Sequence, residues 1–265
     1  MTSLLLRRAP GLRGAAVELA VVGVALAANL VARWLTLDDL GVAVSHAHSL
    51  LVLQQRLGLD WEHAAQAGIE GVPWLGTFAS WFYVWGYLPV LAVALVGLFV
   101  RHPGDYAFLR NALLVGGIVG LPVYVLWPLA PPRLTDLGYT DTVGATLVDG
   151  LARPVGVANE IGAMPSFHVG YLVVVSAVVW RLSRSPLVRA WCVLHPLVMC
   201  WVVLATGNHW VLDLPADAAL AVTGLAVARW VRSPVAAFPA SRDVRPYDPL
   251  PHRPSVGRWR GGHDG

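Results

Sequence analysis

The sequence predicts an all-α, polytopic membrane protein with six transmembrane helices and an outer amphipathic helical segment. Three observations predict it. Charged residues make up only 13% of the chain, against roughly 25% in a soluble domain. Six apolar stretches approach the roughly 20 helical residues that cross a hydrocarbon core: 14–35, 76–99, 107–128, 167–183, 188–206 and 210–231. Trp34, Trp74, Trp127, Trp180, Trp201, Trp210 and Trp230 fall near the ends of these stretches, as an interfacial aromatic belt requires.

The first stretch imitates a signal peptide, with Arg7 and Arg8 before it and Ala25-Leu26-Ala27 inside. Its run passes Glu18 and continues to Trp34, so it reads as a retained helix, with Glu18 snorkelling toward the cytoplasmic surface. Residues 44–70 place Leu50, Leu51, Leu53, Leu57, Trp61 and Ala65 at helical spacing, which predicts one or two amphipathic helices on the outer surface. The second and third spans follow. Residues 129–165 open with Pro131-Pro132 and are rich in Gly, Asp and Thr, predicting an irregular outer loop before the short fourth span. The fifth span holds Cys192 and Cys200, about 12 Å apart on a helix and therefore read as packing residues. His195-Pro196 in the same span reads as a kink with a satisfied core histidine. Residues 1–235 form the membrane domain, and 236–265, with five Pro and five Arg, read as a disordered cytoplasmic tail.

All 19 basic residues are Arg. The absence of Lys excludes Schiff-base lysine chemistry and a Walker-type phosphate loop. Fifteen arginines lie on one set of segments, whereas Arg33, Arg56, Arg133 and Arg153 lie on the other. That bias predicts an integral, multi-pass cell-membrane protein with both termini cytoplasmic. His102, His252 and His263 then fall in solvated cytoplasmic segments. His46 and His48, two apart in the outer segment, do not face each other on a helix and make a poor metal pair.

Three polar clusters interrupt the apolar sequence: Pro131-Pro132-Arg133-Leu134, Ala163–Gly170, and Thr206–Asp213. The third span ends, and the fourth and sixth begin, on the same membrane face, so the alternation of spans brings all three clusters together there. His209 and Asp213 are four residues apart, hence one turn apart on one helix face. A carboxylate so placed fixes the imidazole tautomer and frees the other ring nitrogen as a nucleophile. His168 supplies a second imidazole to protonate a leaving alkoxide. Arg133 offers a planar fork of donors to phosphate oxygens. Ser166 can both cap the fourth helix and line an anion pocket, with Asn208 and Thr206 beside it. Asp217, a turn beyond Asp213, is at most a supporting carboxylate. These parts fit phosphoryl transfer through a phosphohistidine, with the site facing outward.

Pro165-Ser166-x-His168 and His209-x-x-x-Asp213, following an Arg block, resemble the type 2 phosphatidic acid phosphatase superfamily, which includes vanadium haloperoxidases and glucose-6-phosphatase. The resemblance covers about residues 76–231 and implies a six-helix membrane core. It implies His209 as nucleophile, Asp213 as its orienter, His168 as acid-base partner, and Arg133 and Ser166 as phosphate contacts. Two family cations are replaced: Leu126 stands seven residues before Arg133, and Val203 six before His209. Pro131-Pro132-Arg133, Ala163-Met164-Pro165-Ser166-x-His168 and Thr206 look like the inositol-phosphorylceramide synthase branch.

A pocket with fewer cations suits a singly charged phosphodiester better than a phosphomonoester dianion, and hence headgroup transfer between alcohols. Hydrolysis of phosphatidic acid or a polyprenyl pyrophosphate is the rival within the same class. An inactive membrane scaffold or transporter is the rival from another. The expected partners are the bilayer and a lipid substrate with a phosphate headgroup, with no nucleic acid. These residues require no metal or organic cofactor.

Overall fold

The computed structural model describes residues 11–36, 39–147 and 161–231. The tail 236–265 and Arg153 lie outside the described residues. Within them the chain is a helical bundle whose one extended pairing is an isolated bridge, Leu129 with Gly162. The helices are α1 (Leu12–Leu35), α2 (Leu40–Leu57), α3 (Glu62–Glu70), α4 (Pro73–Trp85), α5 (Leu88–Arg101), α6 (Pro103–Leu126), α7 (Thr142–Thr146), α8 (Phe167–Leu182), α9 (Pro186–Ala205) and α10 (Asp213–Trp230). Prolines open several of them, at Pro73, Pro103 and Pro186, where the missing N–H would have had no helical partner anyway.

Four stretches are long and apolar enough to cross a membrane: Leu12–Ala32, Pro73–Arg101, Pro103–Leu126 and Pro186–Ala205. The expected count of six is therefore not reached by length and composition. Helix α8 has only 16 residues, and α10 carries Asp213, Asp217 and Arg229. Both are nonetheless built into the bundle, α10 against α6 and α8, and α8 against α9. The buried positions of α10 are Asp213, Asp217, Ala221, Gly224 and Ala228, small or polar groups that face protein. Gly224 shows how close the approach is: a Cβ there would lie 2.4 Å from the Ala112 carbonyl oxygen of α6.

The second expected span is a broken helix. Pro89 carries no N–H and its ring crowds the carbonyl four residues back, so the helix breaks between α4 and α5. The Gly86 carbonyl at that break accepts a 2.7 Å hydrogen bond from His195 Nε2, so His195 is satisfied as the sequence suggests, though half-buried rather than in the core. Glu18 departs from expectation. Instead of snorkelling, it is buried and ion-paired with Arg110 of α6, and it accepts a 2.8 Å hydrogen bond from Tyr106. An unpaired carboxylate there would be costly, and the pair ties α1 to α6.

The outer segment forms α2 and α3, with Val52, Leu53, Leu57 and Trp61 exposed. Its inward face is not simply apolar, for Gln54, Glu62 and Gln66 are buried. Trp34, Trp74, Trp127, Trp180 and Trp230 are exposed as a belt requires. Trp210 is a correction: it is fully buried, donates from Nε1 to the Ala130 carbonyl at 2.8 Å, and meets Tyr139 edge-on.

Candidate active site

The three clusters meet through backbone pairing at one end of the bundle. Leu129 N donates to Ile161 O at 2.9 Å and Ala163 N to Leu129 O at 3.0 Å, so the two ends of the 129–165 loop lie side by side. Arg133 N donates to Gly207 O at 2.9 Å, bringing the arginine block onto the turn between α9 and α10. Gly207 has φ +70°, and a Cβ on it would sit 2.9 Å from the Thr140 carbonyl oxygen. Both the left-handed backbone and the close approach demand glycine.

His209 is 5% exposed. Its Nδ1 lies 2.8 Å from the Ala163 carbonyl oxygen and 3.1 Å from Asp213 Oδ2. A carbonyl can only accept, so Nδ1 carries the proton and donates. Nε2 is left with its lone pair and, among the described residues, no hydrogen-bond partner. Burial holds the His209 imidazole well below its ordinary 6.5, at about 4, and the Arg133 guanidinium adds to this while the Ala163 carbonyl opposes it. The neutral form is the resting form. Asp213 is fully buried, and its Oδ2 also accepts from Trp210 N at 2.8 Å.

His168 lies in the first turn of α8, its ring centroid 5.8 Å from that of His209. Tyr83 stacks on it at 4.5 Å and Tyr87 tilts against it at 4.6 Å. The break between α4 and α5 places these two tyrosines, which sequence reasoning did not single out. Ser166 is the N-cap of α8, its hydroxyl accepting from His168 N at 3.2 Å. The residues before it are held by Tyr124, whose hydroxyl donates to Pro165 O at 2.5 Å. Asp217 is fully buried under Ser166.

Arg133 is held in place rather than dangling. Its Nε donates to Asn208 Oδ1 at 3.0 Å, and Nη1 lies 3.7 Å from Asp141 Oδ2. Asn208 in turn donates from Nδ2 to Thr206 Oγ1 at 2.9 Å, and Thr206 donates to Val202 O at 2.7 Å. Asn208 and Thr206 thus form a relay that aims the guanidinium, with their own polar groups engaged in it. Leu126, in one vacated cation position, is 81% exposed, and Val203, in the other, is buried beside Met199 and Val202.

Sequence reasoning also missed Gln54, Glu62 and Gln66. Glu62 Oε1 accepts from Val211 N at 2.7 Å, and Gln54 Oε1 from Leu212 N at 2.9 Å. Gln66 clamps the Thr140 backbone, donating to its carbonyl at 2.7 Å and accepting from its N–H at 2.9 Å. Among the described residues no cluster of three or more His, Cys, Asp or Glu side chains is placed to hold a metal ion.

The family model described as PAP2 superfamily matches residues 48–227, from within α2 to within α10. No curated protein and no solved structure matches the chain. The matched stretch takes in Arg133, Ser166, His168, His209 and Asp213 together with Gln54, Glu62 and Gln66. It spans well over half of the 265 residues, and the chain belongs to the PAP2 superfamily.

Proposed function

We propose that this chain is a membrane phosphotransferase that moves a phosphate-containing headgroup between alcohols through a phosphohistidine on His209. Membership of the PAP2 superfamily suggests a phosphatase- or phosphotransferase-type activity, and the apolar, membrane-length helices support a lipid phosphate as the substrate. The observation that carries the finer reading is the engagement of His209 Nδ1 by Ala163 and Asp213, with Nε2 unpartnered among the described residues and the His168 ring alongside.

The His209 Nε2 lone pair attacks phosphorus. The bond to the departing alkoxide breaks, its electron pair goes to oxygen, and His168 delivers the proton that makes the leaving group an alcohol. The acceptor alcohol then gives its proton to His168, its oxygen attacks phosphorus, and the P–N bond returns its electrons to Nε2. Arg133 faces the charge that gathers on the phosphoryl oxygens. Asp213 stabilises the positively charged ring of the intermediate.

Among the described residues, Arg133 is the one guanidinium gathered with His168 and His209, and Asp141 offsets part of its charge. That supports a diester monoanion over a monoester dianion. The resemblance to the inositol-phosphorylceramide synthase branch supports transfer over hydrolysis. The fold end bearing the site is the end assigned to the non-cytoplasmic face by the arginine bias. The test is a substrate panel on purified protein: phosphatidic acid, a polyprenyl pyrophosphate, and a phosphatidylinositol-type diester with an acceptor alcohol. Inorganic phosphate and headgroup exchange are followed in parallel. Exchange from the diester is expected; rapid phosphate release from phosphatidic acid alone would make the enzyme a phosphatase, and no turnover at all would favour a scaffold.

A further inference from the structure

The turn carrying His209 into α10 does not satisfy its own backbone. Trp210 N donates to Asp213 Oδ2, Val211 N to Glu62 Oε1 and Leu212 N to Gln54 Oε1. Gln54 Nε2 closes the group by donating to Glu62 Oε1 at 2.6 Å. Gln54 and Glu62 are both fully buried. An amphipathic helix lying on a membrane surface has no reason to turn a glutamate and a glutamine inward, since burying them is costly unless they are bonded. Here the bonds they make run to the two residues Val211 and Leu212, between His209 and Asp213 and 149 and 158 positions away in the chain.

We propose that Glu62 and Gln54 are positioning residues for phosphoryl transfer, acting through the backbone of Val211 and Leu212 to set the His209–Asp213 geometry. The proposal rests on the reading of His209 as the nucleophile. Removing either acceptor frees a backbone donor that the turn can satisfy only by moving. Movement changes both the Nδ1 contact with Asp213 and the direction of Nε2, and a misplacement of about 1 Å costs on the order of 10²-fold in rate. The role is one of hydrogen-bond geometry rather than charge, because both contacts fall on Oε1 while Oε2 is buried without a partner. Glutamine can therefore replace Glu62, whereas alanine cannot.

The experiment compares Glu62→Ala, Gln54→Ala and Glu62→Gln in the full chain, with two readouts. One is kcat and KM on the phosphodiester panel donor. The other is the ¹⁵N spectrum of histidine-labelled protein, in which His209→Gln identifies the His209 signals. Wild type is expected to show a protonated Nδ1 and a bare Nε2. Glu62→Ala should lower kcat about 10²-fold at unchanged KM and mix the His209 tautomers; Gln54→Ala should do both to a smaller degree; Glu62→Gln should preserve both. His209 signals identical to wild type in the two alanine variants would overturn the proposal, as would their loss in Glu62→Gln. If Glu62→Ala fails to fold, Gln54→Ala, which leaves the Glu62 bond to Val211 N in place, decides the matter by the same signals. A wild-type protein that turns over no phosphate ester would end the functional reading, while the spectra would still decide the positioning role.

Discussion

At His209, two acceptors share one proton. In serine proteases, replacing the orienting aspartate by asparagine costs about 10⁴ in kcat because the imidazole adopts the wrong tautomer. Here the Ala163 carbonyl also accepts from Nδ1, at 2.8 Å, so the tautomer survives loss of the carboxylate. Asp213→Asn should therefore lower kcat by about 10²-fold with KM unchanged, as read by steady-state kinetics. An unchanged kcat would remove Asp213 from the mechanism. The pH dependence follows from burial. The His209 imidazole is held at about 4 rather than 6.5, so the neutral nucleophile persists on acidification well below the ordinary histidine range. With a diester donor, which itself does not titrate there, the acid limb of kcat/KM should fall near pH 4. The stability linked to this group has the same sign. The folded state binds fewer protons than the unfolded state between about 4 and 6.5, so this contribution is complete above 6.5 and is lost as pH falls through that window. An acid limb at the ordinary histidine position would contradict the buried geometry.

The elements were partly legible in the chain. Long apolar runs marked α1, α6 and α9 nearly to their ends, because a lipid-facing helix declares itself by composition alone. The break between α4 and α5 was written in Pro89, though a hydropathy run passes straight through it. Helix α10 was read from the apolar stretch 210–231, yet it falls short of a candidate span by composition, since Asp213 and Asp217 face protein and depress its apolar content. The Glu18–Arg110 pair was hidden because its members are 92 residues apart and each reads as the end of a span. Removing one partner of a buried pair leaves an uncompensated charge, at a cost of about 3–5 kcal/mol. Arg110→Met should therefore lower the thermal midpoint in detergent steeply, and Glu18→Leu with Arg110→Met together should recover most of the loss. A double variant no more stable than the single one would show that the pair does not tie α1 to α6.

Over the whole molecule, the site comes from five distant segments, and only some of them carry a local signature. The four-residue interval from His209 to Asp213 and the helix start at Pro165-Ser166-x-His168 could both be read from spacing, although His209 lies in the turn before α10 rather than on the helix that Asp213 opens. Arg133 could be placed by the alternation of spans. What spacing cannot give is the second layer: Tyr83 and Tyr87 against His168, the bond from Arg133 to Asn208, and Gln54 and Glu62 beneath the His209 turn. Each of these is a tertiary contact between residues with no fixed interval. The proposed mechanism concentrates on a single atom, His209 Nε2, whose attack on phosphorus would leave a bond that acid breaks and base spares. The most direct measurement is rapid quenching of the purified protein with a donor radiolabelled at phosphorus, followed by mapping of the labelled peptide. A label on the peptide containing His209, stable in base, lost in acid and absent from His209→Gln, is the predicted result; an acid-stable label, or one undiminished in His209→Gln, would contradict it.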